Sequence, residues 1–226
     1  RTCGASGKKP STKPDAEAKP VRFDWSQPYP SQRQPVLARN AVATSQPLAV
    51  QAGLAMLHRG GNAVDAALAA AIALTVVEPT GNGVGSDLFA IVWDGSALAG
   101  LNASGRAPAA LTAARYAGLR EVPPRGWEPV TIPGAVSGWA ALSQRFGVLP
   151  FADLFEPAVR YARDGFPVSP NVARQWGRAA AVLPHDLGFG EHFLPRGRAP
   201  NPGETFACAP LAATLAAIAE SLGETF

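Results

Sequence analysis

Apolar positions change period twice between residues 43 and 108, and the changes mark out the elements. Leu48, Ala52, Ala55 and Met56 recur at helical spacing. Ser45 is suited to cap such a helix, Pro47 fits its first turn, and Gly60-Gly61 stops it. A second helix is predicted from about Asn62 to Val77, with Asp65 in the first turn, where the helix dipole favours a negative charge. Its near-continuous Ala/Leu/Ile/Val series implies close packing on all sides. With an acid near its start and only about fifteen residues, it falls short of the roughly twenty apolar residues of a membrane span, so a buried core helix is expected.

From Phe89 to Trp93 the run turns β-rich, Asp94-Gly95 is suited to a two-residue hairpin turn, and Ala97 to Leu101 forms the return strand. Before the hairpin, Gly81-Asn82-Gly83-Val84-Gly85-Ser86 allows a tight turn. These glycines follow a helix and precede a strand, the reverse of a phosphate-binding strand-loop-helix, and no Lys-Ser/Thr follows. Two readings stand for them: close backbone approach to another group, or a turn without chemistry.

Further on, Pro133-Gly134-Ala135 opens a helix with Val136, Trp139, Ala140 and Leu142 on its apolar face, closed by Phe146-Gly147. Pro157 is costly inside a helix, so a short turn is expected before it and a helix from it to Asp164-Gly165. A helical piece from Pro170 to about Val182, a Gly/Pro/Arg-rich loop through Pro202 and a final helix from Pro210 to Leu222 complete the pattern. The tetrapeptide GETF occurs at Gly203 and Gly223, too little for a repeat architecture.

Length and hydrophobic content fit one sizeable domain. The net charge of +3 is unevenly spread: residues 1–22 hold six Lys/Arg against two acids, leaving −1 for the rest. That segment is poor in large apolar residues and is expected to be a disordered basic tail, with residues 23–226 as the folded region. No aromatic is interleaved with its basic residues, so nucleic acid is not an expected partner. No apolar signal-peptide core precedes Phe23, which favours a cytoplasmic location; the periplasm or secretion stays open should the chain continue upstream of Arg1.

Cys3 and Cys208 lack metal spacing and are expected to be free thiols. His185 and His192, flanking Asp186 and Glu191, are too loosely spaced for a closed zinc site, and neither metal nor cofactor is expected. His58 reads as a favourable cation at a helix C-terminus. Glu78 and Asp87 bracket the glycine turn without being assigned acid/base work. Trp93, Trp139 and Trp176 are expected in the core.

SQPLA at 45–49, GGNAVDAA at 60–67, VEP at 77–79, the glycine turn at 81–85, Arg106-Ala107-Pro108 and the segment from Thr131 to Pro170 together resemble the large-subunit core of the γ-glutamyltransferase family. The resemblance covers roughly residues 23–226. It implies an α/β fold, the helix-rich large-subunit part of a four-layer αββα N-terminal-nucleophile hydrolase sandwich. It further implies a precursor that cuts itself, and a small subunit from that precursor whose new N-terminal Thr attacks γ-glutamyl amides such as glutathione. The acyl group then passes to water or an amine. The resemblance sets that Thr beyond the large-subunit region, so this chain is expected to be incomplete at its C-terminus, inactive alone and poorly soluble through exposed sheet edges.

In glutathione-processing members of the family, an Arg four residues before the Ala-Pro proline holds the substrate's α-carboxylate. Here that position is Ser104, and Arg106 stands two residues later. Arg106 either takes over, its planar fork pairing with a carboxylate while Ser104 and Asn102 add neutral donors, or caps carbonyls near the hairpin exit. Asn102-Ala103-Ser104-Gly105-Arg106-Ala107-Pro108 is similar to the subgroup that includes glutaryl-cephalosporin acylases, which implies a small-molecule γ-glutamyl or glutaryl substrate. A non-catalytic ligand-binding remnant is the competing reading.

Overall fold

The structure is a computed structural model that describes residues 35–183 and 188–226. The basic tail, Cys3, His185 and Asp186 lie outside the described residues. The chain runs α1 (Pro47–His58), α2 (Ala63–Val77), β1 (Leu88–Trp93), β2 (Leu98–Ala103), α3 (Ala135–Phe146), α4 (Glu156–Asp164), β3 (Phe166–Pro167), α5 (Pro170–Ala180), α6 (Phe189–Phe193), β4 (Thr205–Phe206) and α7 (Ala209–Ser221).

Helix α2 is the centre of the core: Leu68, Ala69, Ile72, Ala73, Val76 and Val77 are all buried. Its N-terminus is a reciprocal capping box. Asn62 Oδ1 accepts from the N–H groups of Val64 (2.9 Å) and Asp65 (3.1 Å), while the Asp65 carboxylate accepts from the Asn62 N–H (2.9 Å). Asp65 is fully buried and also accepts from the N–H of Val148, and Asn62 Nδ2 donates to the Phe146 carbonyl at 2.6 Å. The start of α2 is thereby tied to the end of α3. Packing around α2 is nonetheless incomplete, contrary to the expectation: Ala63 and Ala67 are exposed, because no described element lies over that strip.

Helix α1 crosses α2 closely at Gly53, where an added Cβ would lie 2.8 Å from the Ala66 carbonyl oxygen. Its cap is Gln46, whose side chain accepts from the Leu48 N–H, and not Ser45. The Ser45 hydroxyl instead donates to Glu78 at the far end of α2. Arg59, just after α1, pairs with Asp153 (2.9 Å) and Glu156, fastening α1 to the start of α4.

Strands β1 and β2 form an antiparallel pair with Leu88 opposite Ala103 and Trp93 opposite Leu98. The turn comes one residue later than expected: Asp94 donates to the Ala97 carbonyl at 3.2 Å, and Gly95 (φ 99°) and Ser96 are the central residues. The Asp94 carboxylate accepts from the N–H groups of Ala97 and Ser96 and from the Ser96 hydroxyl, which, with Arg145 nearby, holds its pKa below the usual range.

Leu88, Ala90, Val92 and Leu101 face the core, over which α3 lies so closely that a Cβ on Gly138 would come within 2.6 Å of the Leu88 side chain. Trp139 and Trp176 are buried as expected, but Trp93 is 64% exposed. Alternation puts Trp93 with Phe89 and Ile91 on the opposite face of the hairpin, which no described residue covers.

The loop expected through Pro202 contains α6 and a 3₁₀ turn at Pro195–Gly197. Aromatic packing holds this region: Phe193 stacks on Phe206, Trp176 meets Phe206 edge-on at 4.8 Å, and Trp176 Nε1 donates to the Phe193 carbonyl at 2.8 Å. The short β3–β4 pair closes beneath it.

Candidate functional site

Three backbone segments converge at the exit of the hairpin: the glycine turn at 81–86, residues 102–106 after β2, and residues 131–135 leading into α3. The Ser86 hydroxyl closes the glycine turn, accepting from the Gly83 N–H at 2.9 Å and donating to the Gly83 carbonyl. The Ser86 carbonyl then accepts from the N–H groups of both Gly134 (3.2 Å) and Ala135 (2.9 Å) at the start of α3. On the other side, Ile132 N–H donates to the Arg106 carbonyl at 2.9 Å, and the Thr131 hydroxyl to the Ser104 carbonyl at 3.3 Å.

Gly105 has φ +76° and sits so tightly against the Ile132 carbonyl that an added Cβ would collide with it. The close approach is made by this glycine after β2. At the glycine turn an added Cβ on Gly81 would meet nothing within 4 Å and on Gly83 or Gly85 nothing nearer than 3.9 Å, and that turn is bonded to α3 only through the Ser86 carbonyl.

On this frame Asn102 Oδ1 accepts from the Ser104 N–H at 3.0 Å, a local turn that orients both residues. Asn102 and Arg106 are exposed and Ser104 is half-buried. Among the described residues no carboxylate forms an ion pair with Arg106, although its main chain is anchored. Ser86 and Gly134 are visible in sequence as the end of the glycine turn and as a helix opening, and Thr131 as the start of a family-like segment, but nothing in their residue types announces the bonds that join them here.

The other acidic and basic candidates fall elsewhere. Glu78 is occupied by Ser45 and Asp87 is exposed; His58 ends α1 on the surface. Cys208 is a buried free thiol. Among the described residues no helix is long and apolar enough to cross a membrane.

Comparison with solved structures defines the class. The fold is that of cephalosporin acylase from Bacillus halodurans, with a TM-score of 0.83 and 51% identity over 91% of this chain and 40% of that one. It is the helix-rich large-subunit portion of a four-layer αββα N-terminal-nucleophile hydrolase. The chain belongs to the gamma-glutamyltranspeptidase family, whose model matches residues 49–226.

Among its relatives are a glutathione hydrolase-like proenzyme, YwrD, of Bacillus subtilis (38% identical over 80% of this chain) and an oxamate amidohydrolase proenzyme of Klebsiella pneumoniae (39% over 79%). The chain spans 35% of the length of each.

Proposed function

We propose that this chain is the large-subunit part of an autoprocessing enzyme that cleaves γ-glutamyl amides such as glutathione and transfers the acyl group to water or an amine. The observation that carries the substrate half of this reading is the exposed Arg106 guanidinium, held on a rigid backbone shelf with no carboxylate among the described residues to neutralise it. A substrate carboxylate is the chemistry that such a group recognises, with Ser104 and Asn102 as neutral donors beside it.

The nucleophile in this reading is the N-terminal Thr of a small subunit cut from the same precursor. Its hydroxyl adds to the substrate amide carbonyl, its α-amine takes the proton, and the leaving amine departs with a proton. Water or a second amine then opens the resulting ester. Names of relatives as proenzymes support a precursor of this kind. The described region from residue 35 onward acts here as one platform for that partner, with the basic segment 1–22 as an appended tail.

Two observations favour a second reading, a glutaryl-cephalosporin-type acylase. Ser104 occupies the position at which the resemblance expects the carboxylate-clamping Arg, and the chain is 51% identical to a cephalosporin acylase where the two align.

The test assays the full-length precursor product on γ-glutamyl and glutaryl anilides side by side, with Arg106→Ala as the variant. Loss of one charge-assisted pair, about 1.5–3 kcal/mol, predicts a drop in kcat/KM of roughly ten- to a hundredfold on the preferred substrate. An unchanged kcat/KM removes Arg106 from the site. Preference for the glutaryl compound selects the acylase reading, and turnover of neither leaves a non-catalytic remnant.

A further inference from the structure

Two opposite charges stand at the mouth of the β1–β2 hairpin without pairing to each other: Arg106 beyond β2, and Asp87, the residue before β1. Asp87 is exposed, and its carboxylate takes neither an ion pair nor a hydrogen bond from any described residue. The acids before and after it in the chain are both occupied, Glu78 by the Ser45 hydroxyl and Asp94 by its own turn.

Strand register sets Asp87 beside the shelf. Leu88 pairs with Ala103, so one step further out Asp87 stands across from Ser104. Because Asp94 donates to Ala97 across the turn, Leu88–Ala103 is a bonded pair, and the step beyond it is of the non-bonded kind. In that kind of pair the Cα atoms lie about 4.5 Å apart and the side chains come closest. Alternation puts Asp87 on the face of Phe89, the face that Asn102 and Ser104 share.

Both charges are carried on fixed backbone. Asp87 follows the Ser86 carbonyl, which is bonded to Gly134 and Ala135, and precedes the first ladder residue, Leu88. Arg106 is held through its carbonyl by the Ile132 N–H.

We infer that Asp87 receives the α-ammonium group of a γ-glutamyl substrate whose α-carboxylate pairs with Arg106, and that it thereby sets selectivity for γ-glutamyl over glutaryl amides. The inference rests on the γ-glutamyl reading above.

In a γ-glutamyl group the ammonium and the carboxylate sit on one carbon, so a receptor for both needs an anion and a cation that are neighbours without neutralising each other. An ammonium has three donors, for which the Asp87 carboxylate and Ser104 Oγ are acceptors, while the guanidinium fork suits the carboxylate. A glutaryl group brings the carboxylate alone. Asp87 then meets a like charge with no ammonium between them, which disfavours that acyl group.

The experiment assays the full-length, processed enzyme on three anilides that differ only at that carbon: L-γ-glutamyl, with both charges; glutaryl, with the carboxylate; and 4-aminobutanoyl, with the ammonium. Asp87→Asn is compared with the parent and with Glu220→Gln, an exposed carboxylate on α7. In Asp87→Asn, the kcat/KM of each ammonium-bearing anilide relative to the glutaryl one is expected to fall about tenfold or more, while Glu220→Gln keeps the parent's ratios. Each ratio is taken on a single protein, so a misfolded fraction cancels.

Unchanged ratios in Asp87→Asn, on a parent that cleaves the γ-glutamyl anilide, overturn the role of Asp87 and leave the proposed function standing. A parent that does not cleave that anilide refutes the proposed function, and calorimetric titration with L-glutamate and with glutarate then decides Asp87 separately. L-Glutamate binding weakened about tenfold by Asp87→Asn, with glutarate binding not weakened, upholds the ammonium site. Any other titration result overturns it.

Discussion

Replacing Asp65 tests whether the junction of α2 and α3 is held by one carboxylate. The side chain has no exposure and takes hydrogen bonds from two main-chain N–H groups, Asn62 at 2.9 Å and Val148 at 3.2 Å. Asp65→Ala strands both donors, and because these bonds are part-buried each is put in the lower half of the about 1–3 kcal/mol that a fully buried orphan donor costs. The Asn62 side-chain cap survives in this variant, so the loss is confined to those two bonds and is put at about 3 kcal/mol. For a chain of this size each kcal/mol moves Tm by about 2–4 °C, so a fall of about 6–12 °C is expected.

Asp65→Asn keeps one acceptor oxygen and is expected to lose about half as much. The assay is thermal unfolding of the full-length protein by far-ultraviolet circular dichroism. An Asp65→Ala midpoint equal to that of the parent, or an Asn variant less stable than the Ala variant, would refute the argument that the carboxylate acts as a two-point acceptor.

Other outcomes are expected from the same structure. Gly105→Ala drives a methyl group into the Ile132 carbonyl at a left-handed φ, so it should distort the hairpin exit and depress turnover more than it depresses Tm; a fully active variant would contradict the tight approach. Glu204 is held at about 2 by hydrogen bonds from Arg198 and the Asn201 N–H and by the charges of Arg198 and Arg196. Because its folded pKa lies below the ordinary value of 4.5, its stabilisation is present above about pH 4.5 and lost as pH falls toward 2. Tm measured across that window should fall less steeply in Glu204→Gln than in the parent. Arg59→Ala removes two exposed ion pairs and should cost no more than about 1 kcal/mol by chemical denaturation; a loss several times larger would show that the pair to Glu156 organises α4.

The helices were legible where their end signals are local. Asn62 with Asp65, Gly134 before Ala135, and Pro157 each carry their own boundary. Ser45 was misread because two adjacent polar residues could cap α1, and the choice was made by Glu78, thirty-three positions away. Trp93 was misplaced because period-two alternation shows that two faces differ without showing which one is covered. The five-residue α6 is too short to leave a periodic trace and exists because Phe193 packs on Phe206. At the candidate site, Asn102, Ser104 and Arg106 came from a motif comparison, whereas the frame beneath them is made of main-chain bonds that no residue type announces.

That frame has a consequence for how specificity is written. Ser86 to Gly134 and Ala135, and Ile132 to Arg106, are bonds between backbones, so they persist whatever side chains stand at 102, 104 and 106. The shelf works as a fixed mount with exchangeable fittings. In the function proposed for this chain, selectivity for the acyl group would be rewritten at those three positions while the backbone frame beneath them keeps its bonds.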